Sequence, residues 1–482
     1  MACACVPALA QDATVSRPYL LVPTFNASAE YVSVRSRSGG SQPAELVMQL
    51  GPGLQLSKQS GPVQGTLNYQ LRGSVHSRRN ELNTFDNNLE ASGRAEAVPG
   101  WVYVDARASV GKQLVQPLGE QNSPNSLAAN SNQREVLNLQ VSPYARGELL
   151  GLADYELRLK AGANQVRGAS AGDYNVVGSS LNLSSPRRGT VVGWGLAASQ
   201  DRLAYKGGRT TDNARLMVSV IATPLPDLSL SARAGQESTN VGGVDTRTYD
   251  NWGGSLNWTP SPRTVVSLSA DRRYFGDSYQ VAVEHRLRRS AFRFTSTRDV
   301  STNDQPQTLF QVYMRQYQSV EPDFNLRLIR VLELLRQTGQ DPNSIVGGGF
   351  LTTAVTVQRR DELTYSYLLP RSTIAIRASS GASEPLENLS ALPRTISLKY
   401  KGLDASVSHR LTPVTNLGLF VNYQVNSAPG QTDSTLKSVS SNVFTALNRH
   451  TSVGIGARYS VSSGASFSTR DTALTGSLSV RF

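Results

Sequence analysis

The feature that most limits the fold of this chain is a two-residue alternation of apolar and polar side chains that returns along almost its whole length. In one segment, Leu157 and Leu159 alternate with Arg158 and Lys160. Successive side chains of a strand point to opposite faces, so this alternation predicts strands with one apolar face. The same pattern recurs in WVYVDARASVG (101–111), LSLSARAG (228–235), TISLKYKG (395–402), NLGLFVNYQV (416–425) and SVGIGARYSV (452–461).

The connections between these segments alternate in length. Short turns with Pro or Gly, such as TPLPD (223–227) and TPSPR (259–263), follow longer polar stretches such as 116–135 and 379–394. Pairing the strands across the short turns gives about 22 strands, and a merged or false strand would make the number 18 or 20. The sequence therefore predicts an all-β fold, a transmembrane antiparallel β-barrel over residues 15–482.

A soluble β-sandwich or β-solenoid would alternate in the same way. Such a fold would leave long strand edges exposed, and it does not explain why short turns and long loops alternate. Closure of all strands into a membrane barrel explains both. It also gives a role to the last residue, because Leu474, Leu478 and Phe482 share the apolar face of the final strand. We interpret Phe482 as the signal for barrel assembly.

The N-terminus suggests export. Cys3 and Cys5 are the two cysteines of the chain, so neither a disulfide framework nor a cysteine-based metal site is available. Ala8 and Ala10 form an A-x-A cleavage site, which identifies residues 1–10 as the remnant of a signal peptide. A lipidated cysteine and a chance A-L-A remain as alternatives. We expect the protein in the outer membrane, after export through a cleaved signal peptide.

One segment has helical periodicity instead. In EPDFNLRLIRVLELLRQTG (321–339), apolar residues recur at helical spacing, Asp323 suits a helix start and Gly339 suits its end. This amphipathic helix lies within an insertion at about 302–348. A plug in the lumen and a helix packed on the barrel rim are both compatible with the pattern.

No motif predicts catalysis or a cofactor. GASAG (168–172) matches the nucleophile motif G-x-S-x-G, but Ser170 lies between two strand-like segments rather than before a helix. The four histidines are far apart, so the sequence offers no metal site. Nucleic-acid binding is not expected of an exported chain whose basic residues are scattered one per strand. We therefore predict that the protein is not an enzyme and needs no cofactor.

The chain carries a formal net charge of +12, and many basic residues fall on the polar side of their strands. In a barrel this side faces the lumen, where it would concentrate anions. The alternative is that acidic residues of the same side, such as Glu156 and Asp271, pair with these cations. The candidates for the lumen are Arg158, Lys160, Arg233, Arg286, Arg288, Lys399, Lys401 and Arg458.

RRYFGDSYQVAVEHRLRRS (272–290) and GQDPNSIVGGGFLTTAVTVQRR (339–360) resemble a known family. It is the family of outer-membrane β-barrels associated with PEP-CTERM/exosortase exopolysaccharide gene clusters. The resemblance implies a channel for the export or secretion of exopolysaccharide. The partners expected with it are outer-membrane lipid, the barrel-assembly machinery, periplasmic polysaccharide-export proteins and an anionic or polar glycan. An anion-preferring porin and an outer-membrane enzyme are the alternatives.

The role of Phe482 is testable by deletion. If this residue is read during assembly, its loss should lower the amount of folded barrel in the membrane, although one exposed side chain rarely matters to stability. Heat-modifiable migration of the membrane fraction measures folded protein. Equal amounts of folded wild-type and deleted protein would show that assembly does not depend on Phe482.

Overall fold

A computed structural model shows the chain as a closed antiparallel β-barrel of 22 long strands. Each strand pairs with the next in sequence, and the last pairs with the first over the register Thr24↔Arg481 to Ser36↔Thr469. The predicted all-β antiparallel barrel is confirmed, at the upper end of the expected strand number. The structure describes residues 19–36, 40–41, 43–128, 130–168, 172–186, 191–206, 209–241, 243, 245–301, 307–318, 320–321, 323–340, 342, 345–346, 355–386 and 397–482.

The long strands are 10 to 17 residues in length. They are β1 (Leu20–Ser36), β2 (Glu45–Lys58), β3 (Val63–His76), β4 (Thr84–Val98), β5 (Val102–Leu114), β6 (Gln133–Leu149), β7 (Ala153–Val166), β8 (Tyr174–Ser184), β9 (Val192–Tyr205), β10 (Thr210–Leu225), β11 (Leu228–Thr239), β12 (Arg247–Ser261), β13 (Thr264–Arg273), β14 (Gly276–Arg286), β15 (Ser290–Ser301), β16 (Thr356–Leu368), β17 (Ser372–Pro385), β18 (Leu398–Arg410), β19 (Thr415–Ser427), β20 (Ser434–Ala446), β21 (Thr451–Ser463) and β22 (Ser468–Arg481). Two helices, α1 (Leu309–Gln316) and α2 (Phe324–Gln337), lie in the connection between β15 and β16. Two-residue strands at Gly40–Ser41, Gln307–Thr308 and Ile345–Val346 and a 3₁₀ turn at Asn80–Leu82 complete the elements.

The two ends of the barrel differ. The end that holds the start of β1 and the finish of β22 has the short turns, for example residues 226–227 between β10 and β11. The opposite end carries the long connections, including residues 115–132 and 302–355. Outer-membrane barrels have short periplasmic turns and longer extracellular loops, so we assign the first end to the periplasm.

The outer face of the wall is apolar. On β10, Leu216, Val218 and Val220 are each more than half exposed, as side chains that meet lipid would be. Aromatic residues border this band toward both ends, for example Trp252 and Trp258 on β12, 64% and 42% exposed. Such aromatic girdles are typical of the two membrane interfaces. No helix in the described part of the chain is long and apolar enough to cross a membrane.

Both helices lie inside the lumen, near the periplasmic end. The Tyr313 hydroxyl of α1 is 2.9 Å from the Ser406 hydroxyl of β18. In α2, Asn325 accepts a hydrogen bond from Ser57 of β2 at 2.7 Å. Since these serines are buried on the inner wall, the insertion crosses the barrel and does not pack on its rim. We call the unit formed by α1 and α2 the plug.

Local sequence signals explain where the helices begin and end. The Asp323 side chain accepts a hydrogen bond from the Leu326 backbone N–H at 2.8 Å, which satisfies one free donor at the start of α2. After its last turn, Gly339 takes a φ of 67°, a left-handed conformation that glycine adopts without strain. Helix α1 begins with a capping box between Thr308 and Gln311. The sequence prediction included α2 and its ends but missed α1.

An apolar core holds the two helices together. Tyr317, Val331 and Leu335 are fully buried between them, and Ala375 of the barrel wall joins this cluster. A helix of 14 residues is only marginally stable alone in water, so this packing supplies most of its stability. The plug is therefore a small folded unit with a core of its own.

A second segment, residues 115–132 between β5 and β6, folds into the lumen from the extracellular end. Asn125 donates a hydrogen bond to the Ser440 hydroxyl of β20 at 2.7 Å, and Gln121 donates to Ser434 at 3.2 Å. At its base, Leu118 packs on a buried cluster that contains Leu398. We call residues 115–132 the inner loop.

The contact between the plug and the wall can be broken at Gly418. A Cβ atom added at this position would lie 2.3 Å from the Gln337 carbonyl oxygen, too close for any side chain. Gly418→Val should therefore push the end of α2 from the wall and raise the conductance of the purified protein in planar bilayers.

Two further variants serve as references for this measurement. Strand residues Ser301 and Thr356 are register partners, so an Asn-Gly turn can replace residues 302–355 and give a barrel without the plug. Gly111→Val is the matched control, because nothing lies within 4 Å of a Cβ at Gly111. Wild-type conductance in Gly418→Val would contradict the docking of α2 on β19.

Candidate functional site

A cavity of about 260 Å³ lies between the plug and the inner loop. Leu332 and Arg336 of α2 form its periplasmic side, and Asn125 and Leu127 of the inner loop contribute from the extracellular half. Its walls are the inner faces of β1 to β3 and β20 to β22. The cavity is therefore built where the two inserted segments approach each other, and the wall strands supply the remaining surface.

Most residues that line the cavity have polar side chains, and none of them is Asp or Glu. Side-chain amides and hydroxyls dominate, and they can donate to and accept from a solute. Such a surface suits a molecule rich in hydroxyl or oxyanion groups. The polar lining residues of the wall are Thr24, Asn26, Ser28, Gln49, Gln55, Asn68, Tyr69, Gln70, Ser440, Ser441, Asn442, Thr475, Ser477 and Ser479, and the four arginines are Arg72, Arg336, Arg458 and Arg481.

Two of these arginines share one carboxylate. Arg336 forms an ion pair with Glu333 one turn earlier in α2, and Arg481 of β22 approaches the same carboxylate at 3.3 Å. Burial of Glu333 opposes its ionisation, but the hydrogen bond and charge of Arg336, with Gln337 and Arg481, outweigh burial and lower the pKa of Glu333. With Glu333 ionised at neutral pH, this corner of the cavity keeps one unit of positive charge.

A second ion cluster supports the inner loop. The guanidinium group of Arg458, 2% exposed, donates to both oxygens of Glu30 at 2.8 and 2.9 Å and to Asp471 at 3.0 Å. It also donates to the Asn125 backbone carbonyl at 2.7 Å. Arg458 therefore ties three wall strands to the inner loop, and its charge is matched by carboxylates.

A second fully buried arginine of the wall is paired in the same way. Arg377 bridges Glu362 at 3.1 Å and Asp404 at 3.0 Å, and all three side chains are buried. Exposed pairs contribute little to stability, but a buried charge without a partner is costly, which explains why carboxylates accompany these arginines. The expected wall of unbalanced positive charge is therefore wrong: the alternative of paired charges describes most of the lumen.

The structure places four of the predicted lumen residues on the inner wall, each beside a carboxylate. Arg158 contacts Asp105 at 2.9 Å, and Lys160 contacts Asp201 at 3.1 Å. Arg233 binds Asp271 through two hydrogen bonds, and Arg458 binds Glu30. Arg286 ends its strand at the periplasmic rim, where it is exposed.

Three predicted lumen residues lie elsewhere. Lys399 and Lys401 are exposed on the outer face of β18, because Leu398, Tyr400 and Asp404 occupy the inner face. The sequence pattern gave the opposite assignment because it treats the apolar side as lipid-facing, whereas Leu398 packs inward on the inner loop. Arg288 lies in an exposed periplasmic turn rather than in a strand.

The other chemical candidates do not form a site. Ser170 and the signal-peptide residues 1–10 lie outside the described residues. His76 is buried beside Glu45, and the Nδ1 atoms of His285 and His409 contact Thr264 and Ser372. Among the described residues, no group of three or more His, Cys, Asp and Glu side chains is placed to hold a metal ion.

Sequence reasoning missed the residues that form the charged edge of the cavity. Arg481 and Glu333 are 148 positions apart, so no local pattern connects them. The sequence pattern could have predicted that Glu30 faces the lumen, because it follows Asn26 and Ser28 on the polar side of β1. Its partner Arg458 was predicted for the lumen without the carboxylate that neutralises it.

No family model and no curated protein matches the chain. Among solved structures, it is similar to the FrpB iron transporter of Neisseria meningitidis at 10% identity, over 96% of this chain and 82% of that one, with a TM-score of 0.47. The ferric-catecholate import receptor Fiu of E. coli K12 matches at 8% identity over 95% and 81%, with a TM-score of 0.46. The siderophore receptor PirA of Pseudomonas aeruginosa matches at 10% over 95% and 80%, with a TM-score of 0.42. The likeness concerns the outer-membrane barrel architecture.

The predicted role in exopolysaccharide export is wrong. The solved structures named above are a siderophore receptor, an iron transporter and a ferric-catecholate import receptor, and none of these three is an exporter of polysaccharide. The alternative of an anion-preferring porin also conflicts with the plug across the lumen and with the paired interior charges.

The cluster of Arg377 makes a prediction about stability. Arg377→Met leaves Glu362 and Asp404 buried without their cation, which should cost about 3–5 kcal/mol of unfolding free energy. Lys160→Met is the control, because the side chains of Lys160 and Asp201 are 35% and 45% exposed and loss of this pair should cost about 1 kcal/mol or less. Urea unfolding in detergent micelles measures both. Equal losses in the two variants would contradict the buried network.

Proposed function

We propose that the protein is an outer-membrane uptake barrel that binds a small polar solute with an anionic group in the cavity between the plug and the inner loop. The observation that carries the proposal is the composition of this cavity. Two arginines, Arg336 and Arg481, share the single carboxylate of Glu333, and the lining itself contains no acidic residue. An anionic group bound there would complete the charge balance through charge-assisted hydrogen bonds.

The size of the cavity restricts the solute. Ligand sites in proteins commonly occupy about 300–1,000 Å³, and this cavity of about 260 Å³ is slightly smaller. It suits a molecule the size of a phosphorylated monosaccharide rather than a polymer. The iron and siderophores named for the similar solved structures are ligands of those proteins.

Passage requires the plug to move. Its contacts with the wall include single hydrogen bonds, such as those of Gln337 with Ser408 and of Arg336 with Ser452, which water can replace. The apolar core between α1 and α2 can persist while these contacts break. We propose that the plug shifts as a unit and opens a path along the inner wall.

Other expectations accompany this proposal. We retain the cleaved signal peptide, the assembly machinery and outer-membrane lipid as proposed features of its biogenesis. The absence of enzymatic activity and of nucleic-acid binding stays a prediction. Membership of the exosortase-associated barrel family also stays a proposal, without the export role.

Isothermal calorimetry in detergent tests the binding site. Glucose 1-phosphate should bind the purified wild-type protein, and glucose should bind at least about tenfold more weakly, because one charge-assisted contact is worth about 1.5–3 kcal/mol. The double variant Arg336→Gln/Arg481→Gln should reduce the affinity for glucose 1-phosphate to that for glucose.

The matched control is Arg371→Gln/Arg449→Gln, which removes the same charge from exposed periplasmic turns. It should bind glucose 1-phosphate as the wild type does. Binding that survives in Arg336→Gln/Arg481→Gln, or that falls equally in the control, would place the site elsewhere.

A further inference from the structure

The outer face of the barrel carries a group of basic residues near its extracellular end that the uptake function does not use. We call the residues Arg35, Lys399, Lys401, Lys437 and Arg470 the basic belt. All five are exposed, and each lies within about four residues of the extracellular end of its strand. We infer that the basic belt binds the phosphates of a multiply phosphorylated lipid of the outer leaflet.

Strand register places the residues of the basic belt side by side. Arg35 and Arg470 are direct partners across β1 and β22. Arg470 and Lys437 both pair with Val461 of the strand between them. Neighbouring strands lie about 4.8 Å apart, so Lys437 and Arg470 stand about 10 Å from each other. Two or more phosphates on one lipid can bridge cations at this spacing.

The basic belt lacks the carboxylates that accompany cations elsewhere. None of its five residues forms an ion pair within the described part of the chain. On the opposite side of the barrel, outer cations at similar heights are paired: Arg202 with Asp212 at 3.8 Å and Arg272 with Asp277 at 2.7 Å. Adjacent like charges repel, so an external anion would stabilise this surface.

The surface below the basic belt suits acyl chains. Tyr423 lies directly beside Lys437, whose ammonium group is 5.6 Å from the centre of the ring. Farther toward the periplasm, Val421, Val439 and Ile455 are between 45% and 74% exposed on the same outer face. Cations at the headgroup level, an aromatic residue at the interface and an apolar surface below match the parts of a phosphorylated lipid.

Two carboxylates border this surface. Asp361 lies 3.2 Å from Arg359, which therefore does not belong to the basic belt. Glu384 is exposed near the extracellular end of β17. Both carboxylates lie near Lys399. The part of the basic belt that contains Lys437, Arg470 and Arg35 is therefore the more positive one.

Native mass spectrometry of the purified protein tests the inference, with bisphosphorylated lipid A as the probe. The wild type should retain this lipid, and the variant Arg35→Gln/Lys437→Gln/Arg470→Gln should bind it at least about tenfold more weakly, because each cation near a membrane surface contributes to anionic lipid binding. The control Arg288→Gln/Arg371→Gln/Arg449→Gln removes three charges from periplasmic turns and should bind as the wild type does.

Other ligands measured in the same way test alternative sources of phosphate. Dephosphorylated lipid A, phosphatidylglycerol and inorganic phosphate should each bind at least about tenfold more weakly than bisphosphorylated lipid A. Equal binding of any of them, or unchanged binding in the basic-belt variant, would overturn the inference. Heat-modifiable migration verifies that the variant is folded. Because the basic belt lies outside the cavity, the basic-belt variant should bind glucose 1-phosphate as the wild type does. The two proposals can therefore fail independently.

Discussion

The pairing of β1 with β22 is the contact on which the rest of the structure depends. A membrane interior offers no water to backbone N–H and C=O groups, so a sheet within it must leave no unpaired edge. The register from Thr24↔Arg481 to Ser36↔Thr469 closes that edge along thirteen residue pairs. Closure of 22 strands also creates a wide interior, and barrels of this size are usually plugged. The two helices and the inner loop occupy that interior.

The interior shows how the protein tolerates charge away from bulk water. Arg377 and Arg458 sit in nearly dry surroundings, where an isolated cation would be costly, and each is held by two carboxylates. These clusters join neighbouring strands and fix the inner loop. Against this balanced background, the arrangement around Glu333 differs, since one carboxylate serves two arginines. This local imbalance makes the cavity a candidate binding site.

The outer surface, like the interior, has cations with acidic partners and cations without them among the described residues. Outer cations on one side of the barrel have acidic partners, whereas those near β18 to β22 and β1 lack them within the described chain. Membrane lipids can supply the missing charge at the headgroup level, and solutes can supply it in the cavity. The two sites thus use one physical principle in different surroundings: positive charge that the chain does not neutralise is available to an external anion.

Local patterns in the sequence were enough to predict the class of fold and much of its detail. Period-two alternation has a direct structural cause, so the strands, the barrel and the approximate strand number could be predicted. Asp323 and Gly339 likewise marked the ends of α2, because caps act through neighbouring residues. The orientation of β18 could not be predicted in this way, because Leu398 faces inward toward an apolar partner in the lumen that local periodicity cannot reveal. The same holds for Glu333 and Arg481, which meet only because the plug crosses the barrel: contacts between residues far apart in sequence arise from closure and packing, not from local pattern.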